Sequence, residues 1–221
     1  KVTVAKYYIP SGRCIQKLDY AQHDSTGHAV IKADSLVRDF KTKAGRPVID
    51  GRGITPDVLV KEPDMPKIVG GLYLADVFYD FGNKFYWSHD SIEAPEKFRI
   101  SDELWAEFTA FAKGKKIEYR TESNDELKKL EEAAKKERYY EHAKTAIDAL
   151  RAELNPDRTE ELQRFRTDIE EVLRSEIAGR YYHTTGRAKS VLSTDPLVKR
   201  AIEVLNSTDY VGILNGTVKG N

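Results

Sequence analysis

Few side chains in this sequence combine the residue type and spacing that catalysis or metal binding needs. Cys14, the single cysteine, would be a nucleophile if a nearby histidine lowered its pKa. It follows a turn within a strand-like segment, so a small buried hydrophobic side chain is the favoured interpretation. His23 and His28 lie in a polar loop near Asp19 and Asp24 and could bind a metal ion. No third ligand is fixed in geometry, so a solvated loop is favoured there.

The other histidines and the paired tyrosines indicate no site either. The histidines fall in separate predicted segments: His89, His142 and His183. The tyrosine pairs could stack on bases or sugars but are more often core or interface residues: Tyr7-Tyr8, Tyr139-Tyr140 and Tyr181-Tyr182. Glycine-rich phosphate loops, paired-histidine zinc motifs and calcium loops are all missing from the sequence. The residues alone therefore assign no catalytic, cofactor-binding or metal-ligating side chain.

The composition excludes several classes of protein. The 221 residues contain 36 basic and 36 acidic side chains, so a nucleic acid or an anionic membrane is not expected as the main partner. One cysteine excludes an internal disulfide framework. No apolar run reaches the roughly 18 residues of a membrane-spanning helix, so no transmembrane segment is predicted. The sequence begins at Lys1 and holds only Met65, so we expect a piece of a longer protein.

The distribution of proline and glycine along the chain changes near residue 98. Six of the eight prolines precede residue 100, whereas no glycine occurs between Lys115 and Ala178. Proline and glycine interrupt helices, so this distribution favours strands and turns first and long helices afterwards. We predict an α+β protein with a β-rich segment in residues 1–98, followed by an all-α helical domain in residues 99–221.

Residue patterns place the individual elements. In the first part, β-branched and aromatic residues or flanking turns predict strands: Val2–Ile9, Arg13–Gln16, Ser35–Lys41 paired through a hairpin with Arg46–Ile49, and Val58–Val60. Apolar spacing, caps and breaks predict helices: Ile68–Phe81, Ser101 to Gly114, a capping box at Ser123–Glu126 leading to Leu154, Leu162–Ile177 after a break at Asn155-Pro156, and a last helix from Pro196. The two long helices flanking that break are expected to form an antiparallel hairpin.

Two sequence blocks carry a resemblance to a known family. Lys1–Gln16 reads K-V-T-V-A-K-Y-Y-I-P-S-G-R-C-I-Q and closely resembles the strand and turn that follow the catalytic lysine in carboxyl-terminal processing peptidases. Gly53–Val58 matches the G-I-x-P-D-V element of the same family, in the right order. Asp195–Leu205 is similar to the tail of exported members from bacterial cell envelopes.

The resemblance implies a serine protease whose serine–lysine dyad lies before Lys1. Such proteases usually also carry a PDZ domain that recognises a substrate's C-terminus. Ser11 matches the serine of the turn, which is not the nucleophile, and Lys6 belongs to the strand, so no catalytic residue is assigned to this chain. The resemblance also implies that four residues determine the shape of the two turns: Pro10 and Gly12 in the first, and Gly53 and Pro56 in the second.

Three functions follow as expectations. The favoured one is the C-terminal part of a serine protease that hydrolyses peptide bonds in protein or peptide substrates. The resemblance implies that this chain is inactive alone, needs no cofactor, forms a homo-oligomer and resides in the periplasm or cell envelope. The alternative is a helical interaction or oligomerisation module that uses the stripe Trp105, Phe108 and Phe111. The third is an unrelated metal or thiol enzyme.

Overall fold

The computed structural model describes residues 3–31, 33, 36–61 and 64–218. The chain divides into two compact units: Pro63–Asp195 form a helical unit, while Lys1–Glu62 and Pro196–Asn221 form the other. Within the described residues, four short strands precede nine helices. The predicted α+β class, with a β-containing N-terminal segment and a helical remainder, is confirmed.

The strands of the first unit form two separate antiparallel hairpins. β1 (Leu18–His23) pairs with β2 (Ala29–Ile31), and β3 (Asp39–Lys41) pairs with β4 (Pro47–Ile49). The β3–β4 hairpin lies where the sequence predicts it, although Ser35, the predicted start of its first strand, lies outside the described residues. The β1–β2 hairpin has its exposed turn at residues 24–28, inside the predicted polar loop, whereas the two strands that flank this turn were not predicted.

The other predicted strands are wrong. Val2–Ile9 begins outside the described residues, and its described part forms one isolated bridge, between Tyr8 and Cys14. A strand needs a hydrogen-bonded neighbour along its length, and the described residues supply one at this position only. The only strand pairing of Arg13–Gln16 with the described residues is this same bridge, and Val58–Val60 has no strand pairing with any described residue.

Two C-terminal helices belong to the first unit. α8 (Pro196–Leu205) begins at the predicted proline, whereas α9 (Asp209–Asn215) was not predicted. Arg46 binds the carboxylate of Asp57 and also donates from Nη1 to the backbone oxygen of Ile213 at 3.2 Å. This one guanidinium therefore links α9 to the residues that follow the β3–β4 hairpin.

The helical unit contains seven helices in its described residues: α1 (Lys67–Leu74), α2 (Val77–Ser88), α3 (Asp102–Lys113), α4 (Glu122–Lys136), α5 (Tyr140–Leu154), α6 (Arg158–Arg164) and α7 (Arg166–Val191). Its core is built from large side chains of α1, α2, α3, α6 and α7, less than 2% exposed. They include Leu72, Phe78, Phe81, Phe108, Leu162, Ile169, Leu173 and Ile177. None of the described helices is both long and apolar enough to cross a bilayer.

Aromatic packing joins α2 to α3. Phe78 stacks on Phe108 with ring centroids 5.7 Å apart, and Phe81 meets Phe108 edge-on at 5.2 Å. The compact unit therefore begins before the boundary predicted at residues 98 and 99, which stays a prediction about the domains of a parent protein. Trp105 and Phe108 are buried in this core, so the aromatic stripe is not a free surface.

The N-terminal cap of α3 is the predicted residue, whereas that of α4 is a different residue. Ser101 Oγ accepts a hydrogen bond from the amide of Leu104 at 3.2 Å, which confirms the cap of α3. The cap of α4 is Thr121, whose Oγ1 accepts from the amide of Asn124 at 3.2 Å. The capping box predicted at Ser123–Glu126 is therefore wrong by two residues.

The long helix predicted to run to Leu154 is broken at Arg138. This residue has φ 66° and separates α4 from α5, which pack as an antiparallel hairpin. A left-handed arginine costs about 1–2 kcal/mol, but a straight helix would leave the apolar faces of α4 and α5 in water. The reversal buries Leu127 and Ile147 instead. This hairpin forms within one predicted helix, so the hairpin predicted between the two helices that flank Asn155-Pro156 is wrong.

The helix predicted over Leu162–Ile177 is also divided. α6 ends at Arg164, and α7 begins at Arg166 after the non-helical Phe165. α7 itself changes direction at His183, whose φ is 55° and ψ is −150°. The residues after His183 can therefore fold back on the earlier part of α7.

Candidate docking cleft

The turn at Pro10-Ser11-Gly12 is formed as its sequence predicts. Gly12 has φ 82° and donates its amide to the oxygen of Ile9 at 2.8 Å, while the amide of Ile9 donates to the oxygen of Arg13 at 3.0 Å. Glycine favours this left-handed conformation because it has no Cβ. Ser11 is a surface residue of the turn, exposed to solvent.

Arg13 brings the two resemblance blocks together. Its Nε donates to the backbone oxygen of Ile49 at 2.7 Å, and its Nη2 donates to the oxygen of Gly53 at 3.2 Å. Gly53 has φ 76°, and a Cβ placed there would lie 3.6 Å from Cβ of Lys17. The turn of the first block and the glycine of the second are therefore parts of one local structure.

Cys14 is buried beside this junction, at 8% exposure. Its backbone oxygen accepts a hydrogen bond from the amide of Gly51 at 3.0 Å. A cavity of about 60 Å³ adjoins the cysteine, and none of the described residues that line it is a histidine. Within those residues, the thiol therefore lacks the base that would activate it as a nucleophile.

Lys6 lies in the same small cavity but does not act as a base. Its Nζ lies 3.1 Å from Oδ1 of Asp19. The hydrogen bond and charge of Asp19 raise the pKa of Lys6, so the amine is protonated at neutral pH. A general base would need a lowered pKa instead.

The histidines do not assemble a metal site. Nδ1 of His28 lies 2.7 Å from Oγ1 of Thr26 and 4.0 Å from the carboxylate of Asp24, within the exposed turn between β1 and β2. His23 ends β1, and His89 stacks on Phe85 with ring centroids 4.0 Å apart. In the part of the chain that the structure describes, no group of three His, Cys, Asp or Glu side chains could hold a metal ion.

The tyrosine pairs are divided between structural and exposed positions. The hydroxyl of Tyr181 donates to the backbone oxygen of His89 at 2.7 Å, and that of Tyr182 donates to Ile92 at 3.1 Å, so both fasten α7 to the segment after α2. The rings of Tyr7, Tyr8 and Tyr139 are exposed. The structure describes all six of these tyrosines, and no pair among them stacks its two rings on one another.

A cleft of about 600 Å³ lies in the helical unit, where the start of α1 meets the neighbouring ends of α4, α5 and α6. We call it the docking cleft. Its apolar lining comes from Met65, Ile68, Leu154 and Phe165. Ile68 is fully buried, whereas Met65 is 60% exposed, so the cleft runs from the core to the surface.

Tyr119 and Glu161 form the polar wall of the docking cleft. The Tyr119 hydroxyl donates to Oε1 of Glu161, and Nη1 of Arg158 donates to Oε2 at 2.9 Å. Burial and the hydrogen bond to Glu161 raise the pKa of Tyr119 to about 12. The hydroxyl therefore stays protonated, and the carboxylate is already paired. This wall offers contacts for a ligand, but its own carboxylate is not a free base, because Tyr119 and Arg158 both bind it.

The position of Tyr119 depends on a glycine in α1. A Cβ built on Gly71 would lie 2.6 Å from Cδ1 of Tyr119, so the ring rests directly against the helix backbone. The guanidinium of Arg158 lies over the ring, 5.6 Å from its centroid. Contacts with α1 and with Arg158 therefore position the ring, which gives the cleft a preformed wall.

A comparison with protein families matches this helical part of the chain. The family described as "Probable PDZ-protease, C-terminal helical domain" matches residues 68–205, which is more than half of the chain. The chain belongs to this family. No curated protein and no solved structure matches the chain.

The helical domain of this PDZ-protease family contains the docking cleft almost entirely. Tyr119, Glu161 and Leu154 lie within the matched residues, whereas Met65 precedes them. Sequence reasoning missed the cleft, because its polar wall comes from a connecting segment and a separate helix. The one available signal was the isolated aromatic residue in I-E-Y-R, between the predicted helices.

Proposed function

We propose that the protein is the C-terminal part of a carboxyl-terminal processing serine protease. The observation that carries the proposal is the family match to the helical domain of a probable PDZ-protease, which follows the two peptidase-like blocks in the same chain. The parent hydrolyses peptide bonds in protein or peptide substrates, with its serine and lysine before Lys1 in this numbering. It acts in the periplasm or cell envelope and needs no cofactor.

The chemistry of the parent is that of a serine–lysine dyad. Burial keeps the lysine neutral, so that it takes the proton of the serine as this attacks a peptide carbonyl. The two candidates nearest the resemblance blocks do not supply such chemistry. Lys6 is held as a cation by Asp19, and Cys14 has no histidine in the described lining of its cavity. We therefore propose that this chain alone does not cleave peptides.

The role of the first unit is to fix the conformation of the segment that follows the serine–lysine dyad in the parent. The contacts of Arg13 with Ile49 and Gly53 support this role, since they hold the Y-Y-I-P-S-G turn against the G-I-T-P-D-V element. The two blocks are 40 residues apart between Arg13 and Gly53, and one side chain joins them. Such a junction orients the first block relative to the second.

The test is degradation of fluorescein-labelled casein by two chains. One is the 221-residue chain, and the other is extended upstream to include the expected serine and lysine. Cleavage by the extended chain alone, abolished when its serine is changed to alanine, is the expected result. Cleavage by the short chain would contradict the placement of the dyad and return attention to Cys14. Cleavage by neither would overturn the assignment of the parent as a serine protease.

A helical interaction or oligomerisation module is the alternative function. The observation in its favour is the docking cleft, which opens to the surface and carries no catalytic arrangement among its described residues. We propose a homo-oligomer for the parent, and sedimentation analysis of the 221-residue chain measures whether this part contributes. A strict monomer at all concentrations would show that it does not. Cell fractionation with an antibody against the helical unit tests the periplasmic or envelope location.

A further inference from the structure

The docking cleft continues into a second apolar cavity on the α4–α5 hairpin. This cavity, of about 480 Å³, shares Ser123 and Leu154 with the docking cleft. Its other walls include Leu127 and Leu130 of α4 and Leu150 of α5. We call the cleft and this cavity together the α4–α5 groove. All of its residues lie within the helical unit.

Large apolar side chains line this groove and remain accessible to solvent. Leu130 is 54% exposed, Leu150 is 45% exposed and Met65 is 60% exposed. Contiguous exposed apolar surface in a concave site is typical of a binding site, since leaving it in water costs free energy. The groove is therefore the part of this unit best suited to an apolar ligand.

Carboxylates dominate the charge of the groove. Among its described residues, five acidic side chains line it against two basic ones, Lys67 and Arg164. Two of the acids are neutralised locally, since Glu126 binds Lys129 and Glu161 binds Arg158. The remaining acidic side chains still outnumber the basic ones, so the lining carries a net negative charge.

Three carboxylates of the groove remain available to a ligand. Asp64, Glu122 and Glu153 make no ion pair among the residues that the structure describes, and all three are exposed. Arg164 is occupied by Glu160 at 3.1 Å, so Lys67 is the only opposing cation in the lining without a partner among those residues. The field at the groove mouth is negative, which favours a cationic ligand.

We propose that the α4–α5 groove binds a basic amphipathic segment of a partner protein. Leucine-like side chains of the segment enter the apolar floor, while its lysines or arginines face Asp64, Glu122 and Glu153. This is the helix-in-groove mode of recognition, in which apolar anchors at helical spacing give affinity and charges select the partner. The proposal goes beyond peptide-bond hydrolysis and does not depend on it.

The dimensions of the groove fit a helical segment of a few turns. Ser123 and Leu130 are seven residues apart on α4, which is about 10 Å along the helix axis. The docking cleft extends the groove beyond Ser123 towards Met65. A bound helix would therefore present three or four apolar anchors at intervals of three and four residues.

The experiment measures binding of a designed peptide to the 221-residue chain by fluorescence anisotropy. The probe is a labelled amphipathic peptide of about 14 residues, with leucines on one face and lysines on the other; this length forms a marginal helix alone. Its control has glutamate at every lysine position. We expect one-to-one binding of the lysine peptide, weakened by added salt, and no binding of the glutamate peptide.

Variants of the groove locate the binding. The double variant Leu130→Ser and Leu150→Ser is expected to weaken affinity about tenfold, since two apolar anchors lose their contacts. Leu74→Ser is the matched control, because Leu74 is 85% exposed in the same unit and does not line the groove. It should leave the affinity unchanged.

Charge variants keep the test valid if the leucine variants fold poorly. Glu122→Gln with Glu153→Gln replaces exposed groups and is expected to weaken affinity about fivefold. Glu141→Gln on α5, exposed and outside the groove lining, is the matched control. It should leave the affinity unchanged, because it removes a similar charge from a surface that the peptide does not touch.

Two outcomes would overturn the proposal. Equal binding to the groove variants and their controls would show general attraction without a built site. Self-association of the chain that the groove variants abolish would assign the groove to a second copy rather than to a different protein.

Discussion

Arg187 reaches back across the reversal in α7 to bind Glu176, with Nη1 2.5 Å from Oε2, although the two are eleven residues apart. Arg180 donates to the other carboxylate oxygen at 2.5 Å. Burial by itself would raise the pKa of Glu176, but the hydrogen bonds from Arg187 and Arg180 outweigh it and lower the pKa. Glu176 and the two arginines therefore form a charged cluster that joins the two parts of α7 across His183. We call this cluster the clamp.

Glu176→Gln is expected to destabilise the helical unit by about 2 kcal/mol, because two guanidinium groups lose their counter-charge and one of them is half exposed. Guanidinium chloride unfolding of the 221-residue chain, followed by circular dichroism, measures the change. Glu160→Gln is the control, since its ion pair with Arg164 lies on the surface. A loss at Glu160 equal to that at Glu176 would contradict the clamp.

The same carboxylate makes stability depend on pH in the acid range. Because the folded pKa of Glu176 is lowered, its contribution is complete above the unfolded value of about 4.3 and is lost as pH falls through the folded pKa. Unfolding free energies measured from about pH 7 to about pH 3 should fall less steeply for Glu176→Gln than for the original chain. Parallel curves would show that Glu176 is not protonated in this transition.

The adjacent glycines Gly70 and Gly71 should respond to alanine with opposite signs. Nothing lies within 4 Å of a Cβ on Gly70, so Gly70→Ala should stabilise α1 by about 0.5–1 kcal/mol. At Gly71, the new Cβ would push the ring of Tyr119 aside, so Gly71→Ala should destabilise by about 1–3 kcal/mol. Thermal unfolding distinguishes the two. Equal shifts would mean that Tyr119 does not rest on α1.

Tyr119 should titrate later than the other tyrosines. Its pKa is raised to about 12 by burial and by the hydrogen bond to Glu161. The unfolded tyrosine ionises near 10, so this contribution to stability is complete below about pH 10 and is lost as pH rises towards 12. Tyr119→Phe should remove the last phase of an ultraviolet titration. Persistence of that phase would contradict the assignment.

Arg46→Met should loosen α9. The variant removes the donor to Ile213 and leaves Asp57 without its cation, so amide exchange in residues 209–215 should accelerate roughly fivefold. Hydrogen–deuterium exchange with mass spectrometry measures this, and Lys41→Met on the neighbouring strand is the control. Unchanged exchange in α9 would show that the link does not hold the helix.

The sequence predicts most strongly where local chemistry decides the structure. Ser101 caps α3, Gly45 turns the β3–β4 hairpin and Pro196 begins α8, and each effect involves residues close in the chain. The break at Arg138 has no such signal, because neither glycine nor proline marks it, whereas Gly179 and Gly186 flank the break at His183 and leave room for it. Both breaks are favoured by packing between distant faces, which residue spacing does not reveal.

The candidate site shows the same limit. The wall of the docking cleft joins Tyr119 to Glu161 across 42 positions, and the floor adds Ile68 from another helix. The sequence patterns identify the helical segments but neither all of the breaks within them nor which helix ends meet. Cys14 and the pair His23 and His28, by contrast, attract interest by residue type alone, and the structure does not bring them together into a reactive group.

The contacts of Arg13 also determine where insertions can be accommodated in the first unit. Because Arg13 binds Gly53, and Cys14 binds Gly51, the intervening excursion with both hairpins leaves and returns at one point. Closing a flexible loop costs only about 0.6 kcal/mol more for each doubling of its length. Insertions in the exposed turns of the two hairpins, residues 24–28 and 42–45, should therefore be tolerated, because the contacts of Arg13, Cys14 and Arg46 lie outside these turns.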